Sequence, residues 1–357
     1  MPGAGGSSDE TVALEGNMRK IGIYFFLSLS AFFLSCLRHD KCPQVYSRFI
    51  LGVPAKVFVY SHDKASGKAI ADKILAEWER IENDLSLTKP YNSYVQHVNE
   101  NAFFKPVHVN DELFSLLELS MYYWKITDGA FDITFAPLWP IWKNAASTGK
   151  LPSEDKIKKA ISNISSRYVI LDEKNKTVKF TRPVQINIAG ILRAYCLFRG
   201  YRILKDELRI NFPVGLKLGG YVLSYGKRNW QYNVYDPFKE GKILGRLFYD
   251  EGVIVSSSGR DHFVKIEGNL YSHILDVKTG YPIKNFSNLV VYFESIDDPD
   301  FIPSVVLSLM GREKAFKMLA RSKTSAGVWI DGKGQIYVHE PEQSKARWQK
   351  AKKYIFF

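Results

Sequence analysis

Residues 272–282 read Ser-His-Ile-Leu-Asp-Val-Lys-Thr-Gly-Tyr-Pro, which puts an imidazole, a carboxylate, an ammonium and a hydroxyl into one short run. His273 is the group here that titrates near neutral pH and can take a proton from a hydroxyl. In a strand, His273 and Asp276 would point to opposite faces. Lys278-Thr279-Gly280 then reads as a turn, with Gly280 free to take positive φ. The plain alternative is a surface hairpin whose polar groups serve one another, because His-x-x-Asp alone is not specific.

Other stretches carry groups suited to a phosphate or a flat ring. Residues 128–138 read Asp-Gly-Ala-Phe-Asp-Ile-Thr-Phe-Ala-Pro-Leu. Gly129 permits an unusual turn, Ala130 leaves room for a ligand, and Asp132 and Thr134 are polar in an apolar run. The alternative is a helix end leading into a loop. Residues 186–195 read Ile-Asn-Ile-Ala-Gly-Ile-Leu-Arg-Ala-Tyr, a strand-to-helix junction at Gly190. A helix N-terminus holds phosphate oxygens, Arg193 offers a planar fork for phosphate, and Asn187 can bond a base without carrying charge. Gly219-Gly220 is a weak signal, usually a tight turn. The hydroxyls of Ser256, Ser257 and Ser258 either reach a ligand or make a polar turn.

The elements that must position these groups alternate between strand and helix periods. Residues 45–60 read as an opening strand and 67–87 as a helix with Ile70, Ile74, Leu75, Trp78 and Ile81 inward. A second helix runs over 111–127, capped by Asp111. Residues 150–164 form a helical insert, 168–180 a hairpin around Asp172, and 213–225 a hairpin around Gly219-Gly220. The alternating segments supply part of the case for an α+β fold, one compact domain with mainly antiparallel strands and helices packed outside, and the resemblance given below supplies the rest. A chain of 357 residues can bury a sizeable core, and 24% charged residues are ordinary for a globular protein. The net charge of +12 favours an anionic ligand or surface. Nucleic acid is disfavoured, since the basic residues are scattered without zinc-finger or RNP-like spacing. Cys36, Cys42 and Cys196 have neither metal-ligand nor redox-pair spacing.

Residues 1–17 read as a disordered or non-native leader, with Met18 as a candidate start. Residues 18–44 read as a signal peptide and lipoprotein anchor. A basic Arg19-Lys20 precedes an apolar run ending at Phe33-Leu34-Ser35-Cys36, which resembles a relaxed lipobox. The rival is an uncleaved anchor helix. Either places the domain in the cell envelope, tethered to the membrane and facing the periplasm or exterior. Residues 45–340 form the domain, and 341–357 a basic tail read as a solvated helix.

His273-Ile274-Leu275-Asp276 with Thr279-Gly280 and Pro282 resembles the signature of the ApbE family, the FAD:protein FMN transferases. Further blocks resemble the family in the same order: residues 92–99, Gly129-Ala130-Phe131-Asp132, the 186–195 junction, Trp230 to Pro237, and residues 297–311. The resemblance implies transfer of FMN from FAD to a Ser or Thr hydroxyl of an exported or membrane protein, with His273 as base. It implies that Ala130, Phe131, Asp132, Asn187, Arg193 and Ile274 bind the flavin dinucleotide. It also implies Mg²⁺, with main-chain Gly190 among the candidate ligands. The chain departs from the family at several residues: an Asp becomes Asn187, a Lys becomes Arg193, two small residues become Leu192 and Ala194, an acid or Asn becomes Tyr221, and the metal-binding Asp and Thr become Phe301 and Val305. Asp300 and Ser304, at i,i+4 spacing, would restore a carboxylate and hydroxyl only if the register shifted by one residue. The alternative is therefore an impaired flavin-binding or structural lipoprotein of the same fold.

Overall fold

The computed structural model of the chain describes residues 42–61, 63–87, 93–259, 263–267, 269–284 and 286–351. The leader, the apolar segment and Cys36 lie outside them. Among the described residues no helix is long and apolar enough to cross a membrane.

Eight strands make the main sheet: β1 (Gln44–Ile50), β2 (Val53–Val59), β3 (Val214–Leu218), β4 (Tyr221–Tyr225), β5 (Gly252–Ser258), β6 (Phe286–Phe293), β7 (Ala326–Asp331) and β8 (Ile336–His339). They lie side by side in that order, every neighbour antiparallel. Residues 45–60 are thus two strands rather than one. Leu51 and Gly52 both take positive φ, 51° and 72°, and fold the chain back so that Ile50 faces Val53. Apart from the strand Arg347–Lys350, which follows β8, the other helices and strands are excursions inserted between successive strands.

Both faces of the sheet are covered, so its central strands are apolar throughout. Leu223, Val253, Val255, Leu289, Val291 and Phe293 face the helices. Val222, Ile254, Val290 and Tyr292 face a second layer, built on Trp230, Val234, Leu247 and Tyr249. That layer is a three-stranded sheet of Trp230–Tyr235, Ile243–Tyr249 and Arg347–Lys350. The basic end of the chain is therefore a strand, pairing Arg347 with Phe248 and Lys350 with Gly245, and not the solvated helix its composition suggests.

Helix α1 (Lys64–Leu85) is capped by the Asp63 carboxylate, which accepts from Ala65 N–H. Its buried stripe Ile70, Ile74, Leu75, Trp78 and Ile81 follows the helical period. Helix α2 (Tyr94–Asn101) is capped by Ser93. Helix α3 (Asp111–Ile126) is capped by Asn110, one residue before the expected Asp111. Helices α4 (Leu138–Thr148) and α5 (Glu154–Ile161) pack with Leu275 and Val277 in a satellite core. Helix α6 (Ala189–Arg202) lies against α1: the Trp78 indole donates to the Cys196 carbonyl at 2.5 Å, and Gly200 lets the ring approach. Helices α7 (Ser304–Met310) and α8 (Arg312–Leu319) complete the layer. The predicted hairpin is Val169–Asp172 against Thr177–Phe180.

Candidate functional site

Arg193 lies at the end of the sheet where β3 turns into β4. Gly219 takes φ 58° there. A Cβ on Gly220 would stand 2.6 Å from the Ser256 carbonyl oxygen, so only glycine fits the approach of β5. The Gly220 carbonyl accepts from both the Ser256 N–H and the Ser256 hydroxyl at 2.9 Å. Tyr221, the first residue of β4, is buried. The Ser257 hydroxyl donates to Ser304 at 2.8 Å, and Ser304 donates to the Tyr221 hydroxyl at 3.3 Å. Burial pushes the Tyr221 phenol above its ordinary pKa, so it is neutral near pH 7. This Ser257–Ser304–Tyr221 chain was not legible in the sequence, because it joins three distant segments.

Arg193 points from α6 under the same turn, with its Nη1 3.6 Å from where a Cβ on Gly219 would stand. It is half-buried, and loss of solvent pushes its guanidinium below the ordinary arginine range. No carboxylate among the described residues pairs with it. Its neighbours on the helix differ: Arg199 bonds Glu77 and Arg202 bonds Asp206. A partly desolvated cation with no acid beside it is a site prepared for an anion.

Asn187 marks the start of α6. Its Oδ1 accepts from Ala189 N–H at 2.9 Å, which occupies the carbonyl expected for a base. Its backbone N–H donates to the Ile133 carbonyl at 2.7 Å and ties the junction to the 128–135 loop. Asn99 of α2 fastens the same segment, which is irregular rather than the expected strand: its amide donates to Ile186 O at 2.9 Å and accepts from Ile186 N at 2.7 Å. The Ser-to-Asn block of residues 92–99 hinted at this residue but not at its partner.

The 128–135 loop is more structural than its motif suggests. Asp128 and Gly129 both have positive φ. The Thr127 hydroxyl accepts from Phe131 N–H and holds the turn at Ala130. Phe131 is a buried core residue, edge-on to Tyr123, and so does not line a ligand; it packs where a Cβ on Gly190 would lie 3.2 Å from it. Asp132 is also reassigned. Its carboxylate accepts from Thr134 N–H (2.8 Å), Thr134 Oγ1 (2.6 Å), Ser166 N–H (2.8 Å) and Ser166 Oγ (2.8 Å), all buried. It is spent inside the protein. The loop also borders a cleft of about 740 Å³ lined by Lys125, Lys158, Arg167 and Lys278, with Asp132 as the one nominated residue.

His273 sits in a bend, half-buried, between the strands Asn269–Ser272 and Leu275–Asp276, not at the start of a strand. The adjacent Ser272 hydroxyl lies 3.4 Å from the Cβ position of Gly259, at the end of β5. Ile274 is buried in the core, and its carbonyl accepts from Ile283 N–H, so its side chain packs rather than binds. The turn after it matches expectation. Asp276 accepts from Lys278 N–H, and Gly280 takes φ 75°. Lys278 reaches Asp128 at 3.3 Å, linking this segment to the 128–135 loop. The 128–135 loop thus touches both other motif regions, through Ile133 to Asn187 and through Asp128 to Lys278.

The positions expected to hold a cation are filled by hydrocarbon. The Phe301 ring lies 5.1 Å from that of Phe293, and a Val305 methyl lies 3.7 Å from the Cβ position of Gly190. The register-shifted pair fails as well. Helix α7 begins only at Ser304, after Pro303, so Asp300 is in the preceding turn and shares no helical face with it. Among the described residues no cluster of three His, Cys, Asp or Glu side chains could hold a metal ion.

A sequence model of the ApbE family matches residues 51–329, and the chain belongs to that family. The FAD:protein FMN transferase of Klebsiella pneumoniae is 24% identical over 302 residues, covering 84% of this chain and 92% of the relative. That of Treponema pallidum is 23% identical over 295 residues, covering 77% and 81%. The crystal structure of the ApbE protein of Thermotoga maritima superposes with a TM-score of 0.72 at 26% identity, over 84% of this chain and 97% of that one. The apo flavinyl transferase ApbE of Pseudomonas stutzeri has the same fold, with a TM-score of 0.66 at 19% identity over 86% and 96%.

Proposed function

We propose that the protein is an FAD:protein FMN transferase. The acceptor is a Ser or Thr hydroxyl of an exported or membrane protein. Its oxygen attacks the FMN-side phosphorus of FAD, a P–O bond to the acceptor forms, the pyrophosphate bond breaks, and AMP leaves. His273 takes the hydroxyl proton. Arg193 holds the phosphate oxygens through its planar fork. The Asn187 amide and the opening at Ala130 border the flavin dinucleotide. The observation that carries this reading is Arg193: a half-buried guanidinium under the Gly219 turn, with no acid partner among the described residues. The 18–36 segment supports an envelope protein tethered at Cys36, which intact-mass measurement of the mature N-terminus tests.

The function is tested by incubating the purified full chain with FAD and an acceptor peptide, then resolving FMN-peptide, FMN and AMP chromatographically. Product formation lost in His273→Ala, with FAD still retained, supports the transferase. FAD retention without product in the unaltered protein supports the impaired flavin binder. Neither retention nor product would end both flavin readings.

A further inference from the structure

The expected divalent cation and the residues of this chain do not match. Magnesium takes hard oxygens in a near-octahedral shell, usually with one or two carboxylates. The two positions where the resemblance implies ligands carry a phenyl ring and an isopropyl group, both packed. The Ser304 hydroxyl, one residue before Val305, is buried with its proton given to Tyr221 and a lone pair given to Ser257. Tyr221 is a neutral phenol in the place of a family acid or Asn. The departures at Asn187, Tyr221, Phe301 and Val305 remove negative or metal-binding character, while that at Arg193 keeps the positive charge. The same region keeps one fixed positive charge, Arg193, beside Gly219 and Tyr221, unpaired with any described acid.

We infer that this protein binds the pyrophosphate of its dinucleotide without a divalent cation, with Arg193 meeting the phosphate charge in the cation's stead. The inference rests on the proposed function. Its physical basis is the exchange of a point-charged lysine for a guanidinium where acidic and metal-binding groups are missing: the fork needs no carboxylate cage, cannot lose its proton near neutral pH, and matches two phosphate oxygens at once. Phe301 and Val305, half-buried against the core, offer no oxygen to a cation. The Tyr221 hydroxyl, fixed by Ser304, adds a neutral polar group beside the same fork.

The test is titration of the full chain with FAD, followed by flavin fluorescence, in excess EDTA and again in excess Mg²⁺. The expected dissociation constants agree within about twofold, and Arg193→Ala weakens binding by ~10–100-fold in both media, the loss of a charge-assisted pair. Arg193→Lys, which keeps the charge without the fork, falls between. A parallel Mn²⁺ titration by electron paramagnetic resonance, with and without FAD, reads the metal directly and needs no variant. It is expected to show no bound ion beyond that held by free FAD. FAD binding that requires Mg²⁺, a protein-bound Mn²⁺ site, or an Arg193→Ala protein that binds FAD as well as the original overturns the inference and leaves the transferase reading standing. Absence of FAD binding in either medium overturns both.

Discussion

Replacing Asp132 with Asn separates a ligand contact from a structural fastening. The Asp132 carboxylate receives two backbone N–H groups, from Thr134 and Ser166, and the hydroxyls of the same two residues. The hydroxyls can rotate to other partners; the N–H groups cannot. Asn has one carbonyl oxygen and one NH₂ in the same shape. Whichever way the amide turns, one backbone N–H faces another donor in a buried pocket. An unmet buried N–H costs about 1–3 kcal/mol, and losing the negative charge weakens the remaining bonds by about another 1 kcal/mol. Asp132→Asn is thus expected to lose about 2–4 kcal/mol of stability, read as a lower urea midpoint by tryptophan fluorescence. Under native conditions FAD affinity should change less than about threefold, because the carboxylate is already occupied. A variant that unfolds within about 0.5 kcal/mol of the original yet no longer retains FAD would refute the reasoning and return Asp132 to the ligand.

Acid should loosen the α1–α3–α6 packing. Burial opposes the charged forms of Glu77 and Glu112, yet the bonds from Arg80, with Arg199 at Glu77 and Tyr195 at Glu112, hold both below the usual glutamate value of 4.5. The unfolded chain therefore takes up protons first, and the contribution is full above that value and lost as pH falls through it and below. Urea midpoints measured from about pH 7 to pH 3.5 should fall across this window, and Arg80→Ala, costing about 1–3 kcal/mol at neutral pH, should flatten the fall. Asn99→Ala leaves both polar groups of Ile186 unmet and should cost about 1–3 kcal/mol while weakening FAD retention, because Asn187 loses its anchored neighbour. Gly220→Ala drives a Cβ into the Ser256 carbonyl, and should cost about 1–3 kcal/mol with FAD affinity falling as the turn opens. Equal stability of that variant would mean that the β4–β5 approach is looser than the glycine implies.

What the sequence made legible was local. The apolar period of α1 and α3, the 169–180 hairpin, the Gly219-Gly220 turn and the positive φ of Gly280 each follow from a few adjacent residues. What escaped it was long-range. Asp132 looked like a ligand because Ser166, 34 residues away, gives no hint that it will close over the carboxylate. Phe131 and Ile274 sit in a family motif, but that motif does not say which of its members face inward. The Asp300–Ser304 pairing treated a spacing as helical although Pro303 already marked a break in the backbone. At Leu51-Gly52 the turn was readable but was overlooked inside an alternating run. Arg193 and His273 were visible from residue type alone; that no described acid pairs with Arg193 follows only from the packing of distant segments.

The strand Arg347–Lys350 gives the basic end of the chain an unexpected duty. It covers one edge of Ile243–Tyr249, with Trp348 laid over Gly245 and Ala346 buried beneath. Its own outer edge carries exposed Arg347, Gln349 and Lys350. Charged groups on a terminal edge repel a second chain that would otherwise add itself as another strand. Cutting the polypeptide before residue 344 would bare an apolar edge instead, so a truncated protein should be recovered as aggregates rather than as a smaller soluble body.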